Sequence, residues 1–109
     1  MTRTGGRYRI VLVTCASLAE ARKIARSVVG KKLAACANII PRIESIYRWK
    51  GQIEQSREVL MILKTTASRL RPLEREVKRI HTYEVPEFIA LSVASGSPDY
   101  LQWLKQNTR

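Results

Sequence analysis

Apolar residues run unbroken through Ile10–Val13, and the β-rich segment Tyr8–Cys15 around them predicts a buried strand. The spacing then turns helical: Leu18, Ala21, Ile24, Ala25, Val28 and Val29 form one stripe, with Arg22, Lys23 and Arg26 off it. Ser17 and Glu20 match a capping box at the start of this helix, and Gly30 suits its C-terminal cap. Residues 33–49 read as a long strand bent at Pro41. Proline has no amide donor for a ladder, so it implies an edge position or a bulge. Beyond it, Ile43, Ser45, Tyr47 and Trp49 share one face. Lys50-Gly51 predicts a turn, and residues 52–65 return as the second arm of a long hairpin. A second helix is predicted from about Ser68 to Ile80, with Leu70, Leu73, Val77 and Ile80 on its apolar face. Pro72 falls in its first turn, and Glu74 and Lys78 form a favourable pair. Glu87–Ala94 predicts another strand, and Ser97-Pro98-Asp99 opens a final helix docked by Tyr100, Leu101, Trp103 and Leu104.

The order β-α-β-β-α-β plus a short C-terminal helix predicts the α+β class. The arrangement expected is a ferredoxin-like sandwich: an antiparallel sheet with two helices on one face and a long hairpin joining its second and third strands. Residues 1–7, with Gly5-Gly6, are expected to be a flexible basic tail, and residues 8–109 a single domain. A sheet with one wet face alternates apolar and polar residues. The runs Ile10–Val13, Val59–Leu63 and Phe88–Leu91 do not, so both faces are expected to be dry. No remaining element is large enough to cover the second face. The expectation is a homo-oligomer in which copies cover one another, with the hairpin offering edges for pairing.

Composition narrows the function. Among the 109 residues no apolar run approaches the ~20 needed to cross a bilayer, and no apolar leader follows the basic N-terminus; no membrane span and a cytoplasmic location are expected. Cys15 and Cys36 are too few for a disulfide scaffold and too far apart for a CxxC clamp. Twenty Lys and Arg against nine Asp and Glu give a net charge of +11, which attracts polyanions but equally serves solubility. RNA-binding modules of this fold stack bases on an aromatic strand motif; Phe88 is the only phenylalanine and no such motif is present, so no specific nucleic acid is expected. No phosphate loop, dinucleotide fingerprint, nucleophile elbow or zinc-protease helix occurs, and catalysis is not expected.

The candidate chemistry lies at element ends. His81, the only histidine, follows the second helix, where it is either a metal ligand or a hydrogen-bonding junction residue. Cys15 ends the first strand; a thiolate there suits Cu(I), while a protonated thiol is simply a small apolar group. Cys36, in an apolar stretch, is expected to be buried. Tyr83, Glu84 and Glu87 flank the Val85-Pro86 turn and can complete a metal or small-ligand site with His81; alternatively, a carboxylate such as Glu84 pairs with an arginine of the second helix. The metal candidates are therefore Cys15, His81 and Glu87. Lys64, Tyr83 and Glu84 are candidates for an intersubunit ligand pocket, with a solvated strand end the other reading of Lys64. Tyr47 and Trp49 are expected to pack between subunits, since large aromatics dominate interface energetics.

Three segments, Leu33–Thr65, His81–Val93 and Ser97–Leu104, together resemble the CutA family of divalent-cation tolerance proteins. The resemblance rests on LAAC, YxWxG, HxYEVPE and DYLxW and extends from about Val11 to Leu104. It implies a ferredoxin-like subunit in a tight homotrimer that binds copper or other divalent cations, with a copper-ligand cysteine near Cys15 and a histidine at the place of His81. Some members carry a second histidine where this chain has Ile80. The family also resembles the trimeric PII signalling proteins, which bind ligands between subunits, and this gives the alternative of a small-ligand sensor or signalling scaffold.

Overall fold

Lys50 and Gly51 both take positive φ, 49° and 79°, and reverse the chain between the paired residues Trp49 and Gln52. Two positive φ angles in a two-residue loop match the natural twist of a hairpin. The arms are long: β3 spans Cys36–Trp49 and β4 spans Gln52–Thr66. In the computed structural model, which describes residues 2–109, they belong to a four-stranded antiparallel sheet of order β3-β4-β2-β5, with β2 at Tyr8–Cys15 and β5 at Ile89–Ser92. Helices α1 (Leu18–Gly30) and α2 (Leu70–Ile80) connect them, giving the expected α+β, ferredoxin-like order. A single 3₁₀ turn, Ala67–Arg69, leads into α2, and α3 (Pro98–Gln106) closes the chain.

Pro41 sits on the edge strand and at a bulge. The β3–β4 register shifts between Ile40 and Ile43, and Arg42 takes φ 62°. The bulge leaves the proline without a ladder bond to make.

One sheet face packs against the helices. Val11, Val13 and Cys15 from β2 and Met61 and Leu63 from β4 meet Ala21, Ile24 and Val28 of α1 and Leu73 and Val77 of α2, all fully buried. The two helices are also tied at their surface. The Glu76 carboxylate accepts from Ser27, from Lys31 Nζ at 2.9 Å and from Arg79 at 2.8 Å. These bonds, the Arg79 guanidinium first, hold the Glu76 carboxyl well below the usual carboxylate range.

The other face is apolar and uncovered at its centre. Ile10 and Leu12 of β2 lie beside Leu91 and Ile89 of β5, and Leu12 lies opposite Ile62 of β4. Ile89 and Leu91 are 50% and 48% exposed. Helix α3 reaches only one end of the sheet, where Leu101 and Leu104 pack with Tyr8 and Ala35.

Several local expectations are corrected. Residues 2–7 make specific contacts: β1 (Thr2–Arg3) pairs with β6 (Ser95–Gly96), and buried Thr4 donates to the Val93 carbonyl. Residue 1 of that expected tail lies outside the described residues. Gly30 is not the left-handed cap; Lys31 is the C-cap, and Lys32 takes φ 58°. Tyr100 and Trp103 stack on each other at 5.5 Å on the surface, leaving Leu101 and Leu104 as the docking residues. Cys36 is half-buried, because it lies on the outer face opposite Lys64.

Candidate metal centre and acidic cleft

Three element ends meet at one edge of the core. β2 ends at Cys15, α1 begins just past Ser17, and α2 ends at Ile80, so His81 is its C-cap residue and donates its N–H to the Val77 carbonyl at 2.9 Å. The convergence puts donor atoms of Cys15, Glu20 and His81 within 4.8 Å of one another.

Each member has a defined state. Burial pushes the Cys15 thiol up to about 12, with Glu20 and Glu58 adding to the effect, so the sulfur is a protonated thiol beside Met61 Sδ at 3.6 Å. The Glu20 N–H donates to the Ser17 hydroxyl oxygen at 3.2 Å, as the capping box requires. Its carboxylate accepts from the Ala16 N–H at 3.3 Å and, across the fold, from the Thr82 N–H at 2.9 Å. Burial alone raises the Glu20 carboxyl, but the Thr82 and Ala16 bonds with His81 outweigh it and hold it below its ordinary value. His81 Nε2 lies 2.7 Å from the Thr14 carbonyl, and its Nδ1 accepts from the Tyr83 N–H at 3.1 Å.

Beside this centre the sheet and the 82–87 loop enclose a cleft of about 740 Å³. Glu44, Glu58, Glu84 and Glu87 line it with Tyr47 and Trp49, so four of the chain's nine acidic residues face one cavity, and among the described residues no lysine or arginine lines it. The Tyr83 hydroxyl donates to Glu58 at 2.6 Å, and its ring tilts against His81 at 4.8 Å. Burial, with this carboxylate, raises the Tyr83 phenol. Burial and Glu58 likewise raise Glu87. In a strongly basic chain the cleft is a local concentration of negative charge.

The structure thus brings Cys15 and His81 together and adds Glu20. Glu87 lies in the cleft and is not in the donor cluster. Tyr83 and Glu84 line the same cleft, and Glu84 forms no ion pair among the described residues. Lys64 is elsewhere: it pairs with Ile10 and Cys36, and its ammonium lies 5.5 Å from the Tyr100 ring. Glu20 was missing from the sequence-based set because its spacing from Ser17 already explains it as a cap; its bond to Thr82 crosses 62 residues and leaves no local signal.

A family model described as CutA1 divalent ion tolerance protein matches residues 9–107. The chain is 46% identical over 99 residues to the divalent-cation tolerance protein CutA of Thermus thermophilus, covering 91% of this chain and 96% of that protein. It is 50% identical over 103 residues to protein CutA of Mus musculus, covering 94% of this chain and 58% of that longer protein. The solved structure of the Thermus thermophilus protein superposes with a TM-score of 0.91 at 44% identity, over 94% of this chain and 99% of that one. A structure titled as the periplasmic divalent cation tolerance protein CutA from Archaeoglobus fulgidus gives 0.91 at 36% identity, over 94% and 99%. No helix among the described residues is long and apolar enough to cross a membrane.

Proposed function

The chain belongs to the CutA1 divalent ion tolerance family, and from that premise we propose that it is a non-catalytic, homotrimeric cation-binding protein that takes copper at Cys15, Glu20 and His81. The observation that carries this reading is the approach of a thiol, a carboxylate and an imidazole to within 4.8 Å of one another. Sulfur with nitrogen favours copper over hard cations such as magnesium, which prefer oxygen alone.

The geometry sets two costs. Copper must displace the Cys15 proton, and His81 must release one of its two hydrogen bonds. Binding therefore releases a proton and tightens as pH rises. The acidic cleft, with Glu87 and Glu58, raises the local cation concentration beside the centre. Other divalent cations are drawn to the same cleft.

The trimer follows from the uncovered sheet face bearing Ile89 and Leu91, together with the number of copies that the CutA resemblance implies. Tyr47 and Trp49, both exposed in the single chain, pack at the subunit boundary in this reading. The two free cysteines suit a reducing cytoplasm.

Anomalous diffraction from copper-soaked crystals tests the assignment. A peak in bonding contact with Cys15 Sγ and His81 is expected. A peak confined to the cleft carboxylates, or none, contradicts it.

A further inference from the structure

Tyr8 and Cys15 mark opposite ends of β2, on the order of 20 Å apart at about 3.3 Å per residue. At the Tyr8 end, away from the metal centre, a second cavity of about 520 Å³ opens between the N-terminal segment, the 3₁₀ turn and the end of α3. Its chemistry is the reverse of the acidic cleft. Arg7, Arg69, Lys105 and Arg109 line it, and among the described residues no acidic side chain does.

Two of these cations are fixed in place. Arg7 Nε donates to the Thr4 carbonyl at 3.2 Å, and Arg69 Nε donates to the Thr108 carbonyl at 2.8 Å. In both, the Nε bond orients the guanidinium and leaves the terminal nitrogens for a ligand. Among the described residues no carboxylate forms an ion pair with any of the four. The walls are held independently. The Ala67 N–H donates to the Arg7 carbonyl at 2.8 Å, and the buried Thr108 hydroxyl donates to the Leu104 carbonyl at 3.0 Å. The Ser68 hydroxyl, beside Thr66 at 3.3 Å, adds a donor to the rim.

Oriented guanidiniums with free terminal nitrogens match phosphate oxygens in pairs. The volume lies in the range of small-molecule sites. Other cations of this basic chain, such as exposed Arg26 on α1, line neither cavity. We propose that this cavity binds a small organic phosphate carrying two or more negative charges, such as a diphosphate group, independently of any cation at Cys15 and His81.

Calorimetric titration of the full chain with inorganic pyrophosphate, at constant ionic strength, tests this. Saturable binding of one pyrophosphate per chain is expected, at least about tenfold tighter than orthophosphate (~1.4 kcal/mol). Lys105→Gln, an exposed change that leaves the scaffold bonds intact, and Arg7→Gln are each expected to weaken it several-fold, while Arg26→Gln leaves it unchanged. Absence of saturation, equal affinity for the two anions, or the same loss in Arg26→Gln overturns the proposal. Copper titrations of these variants stay at wild-type affinity if the two sites are separate, so failure here is distinguishable from failure of the metal assignment.

Discussion

The imidazole of His81 donates its Nε2–H to the carbonyl of Thr14 at 2.7 Å. A carbonyl oxygen only accepts, so the proton is on Nε2, and the Tyr83 N–H bond to Nδ1 agrees with that assignment. Long-range nitrogen NMR of the metal-free chain is expected to show the Nε2–H tautomer. The opposite tautomer would mean that His81 is not held between β2 and the 82–87 loop.

Cys15 is fully buried and Cys36 is half-buried. With its thiol pushed up to about 12, Cys15 is expected to resist alkylation in the native chain while Cys36 reacts. Mass spectrometry after a short iodoacetamide pulse reads this directly, and labelling of Cys15 first would contradict it. Cys15→Ser is expected to weaken Cu(I) more than Cu(II), because the thiolate favours the softer ion. Equal losses would argue against sulfur ligation.

Glu76 ties α1 to α2 through Ser27, Lys31 and Arg79. Its carboxyl is depressed in the folded chain, so the stabilisation is fully present above the ordinary carboxylate value of 4.5. It is lost as pH falls from there through the folded value. Glu76→Gln is expected to lower the urea midpoint at pH 7, with the difference from wild type shrinking steadily below pH 4. A pH-independent difference would mean that the substitution acts through packing and not through charge.

Leu12, Ile62, Ile89 and Leu91 leave a continuous apolar surface on the side of the sheet away from α1 and α2. Sedimentation velocity at micromolar concentration is expected to show no single chains. Ile62→Arg at the centre of that surface is expected to produce monomer or aggregate. A well-behaved wild-type monomer would contradict the proposed assembly.

Most of the fold was legible because its determinants are local. The Ser17–Glu20 pair, the Pro41 break and the Lys50-Gly51 turn each fix backbone geometry within a few residues, and each stands where the pattern put it. The unbroken apolar run Ile10–Val13 also reported the two-sided nature of the sheet, buried Val11 and Val13 facing the helices and Ile10 and Leu12 facing away. What was illegible depends on distant partners. The pairing of Thr2–Arg3 with Ser95–Gly96 joins opposite ends of the sequence, so those residues read as a tail. Lys64 and Tyr83 both stand at element ends, and the register of β4 carries Lys64 to the Tyr8 end of the sheet, so within one chain the two lie apart and only a neighbouring copy can bring them to a shared intersubunit pocket. Gly30 carried the usual cap signal while Lys32 took the left-handed backbone, one case where composition pointed to the wrong residue.

The donor cluster of Cys15, Glu20 and His81 is the core of the account, and a competitive copper titration of His81→Ala tests it most directly. The substitution removes the imidazole without touching the cleft carboxylates. Copper affinity is expected to fall at least about tenfold, ~1.4 kcal/mol. Affinity equal to that of the parent chain would remove His81 from the site and leave the cleft carboxylates to bind the ion alone.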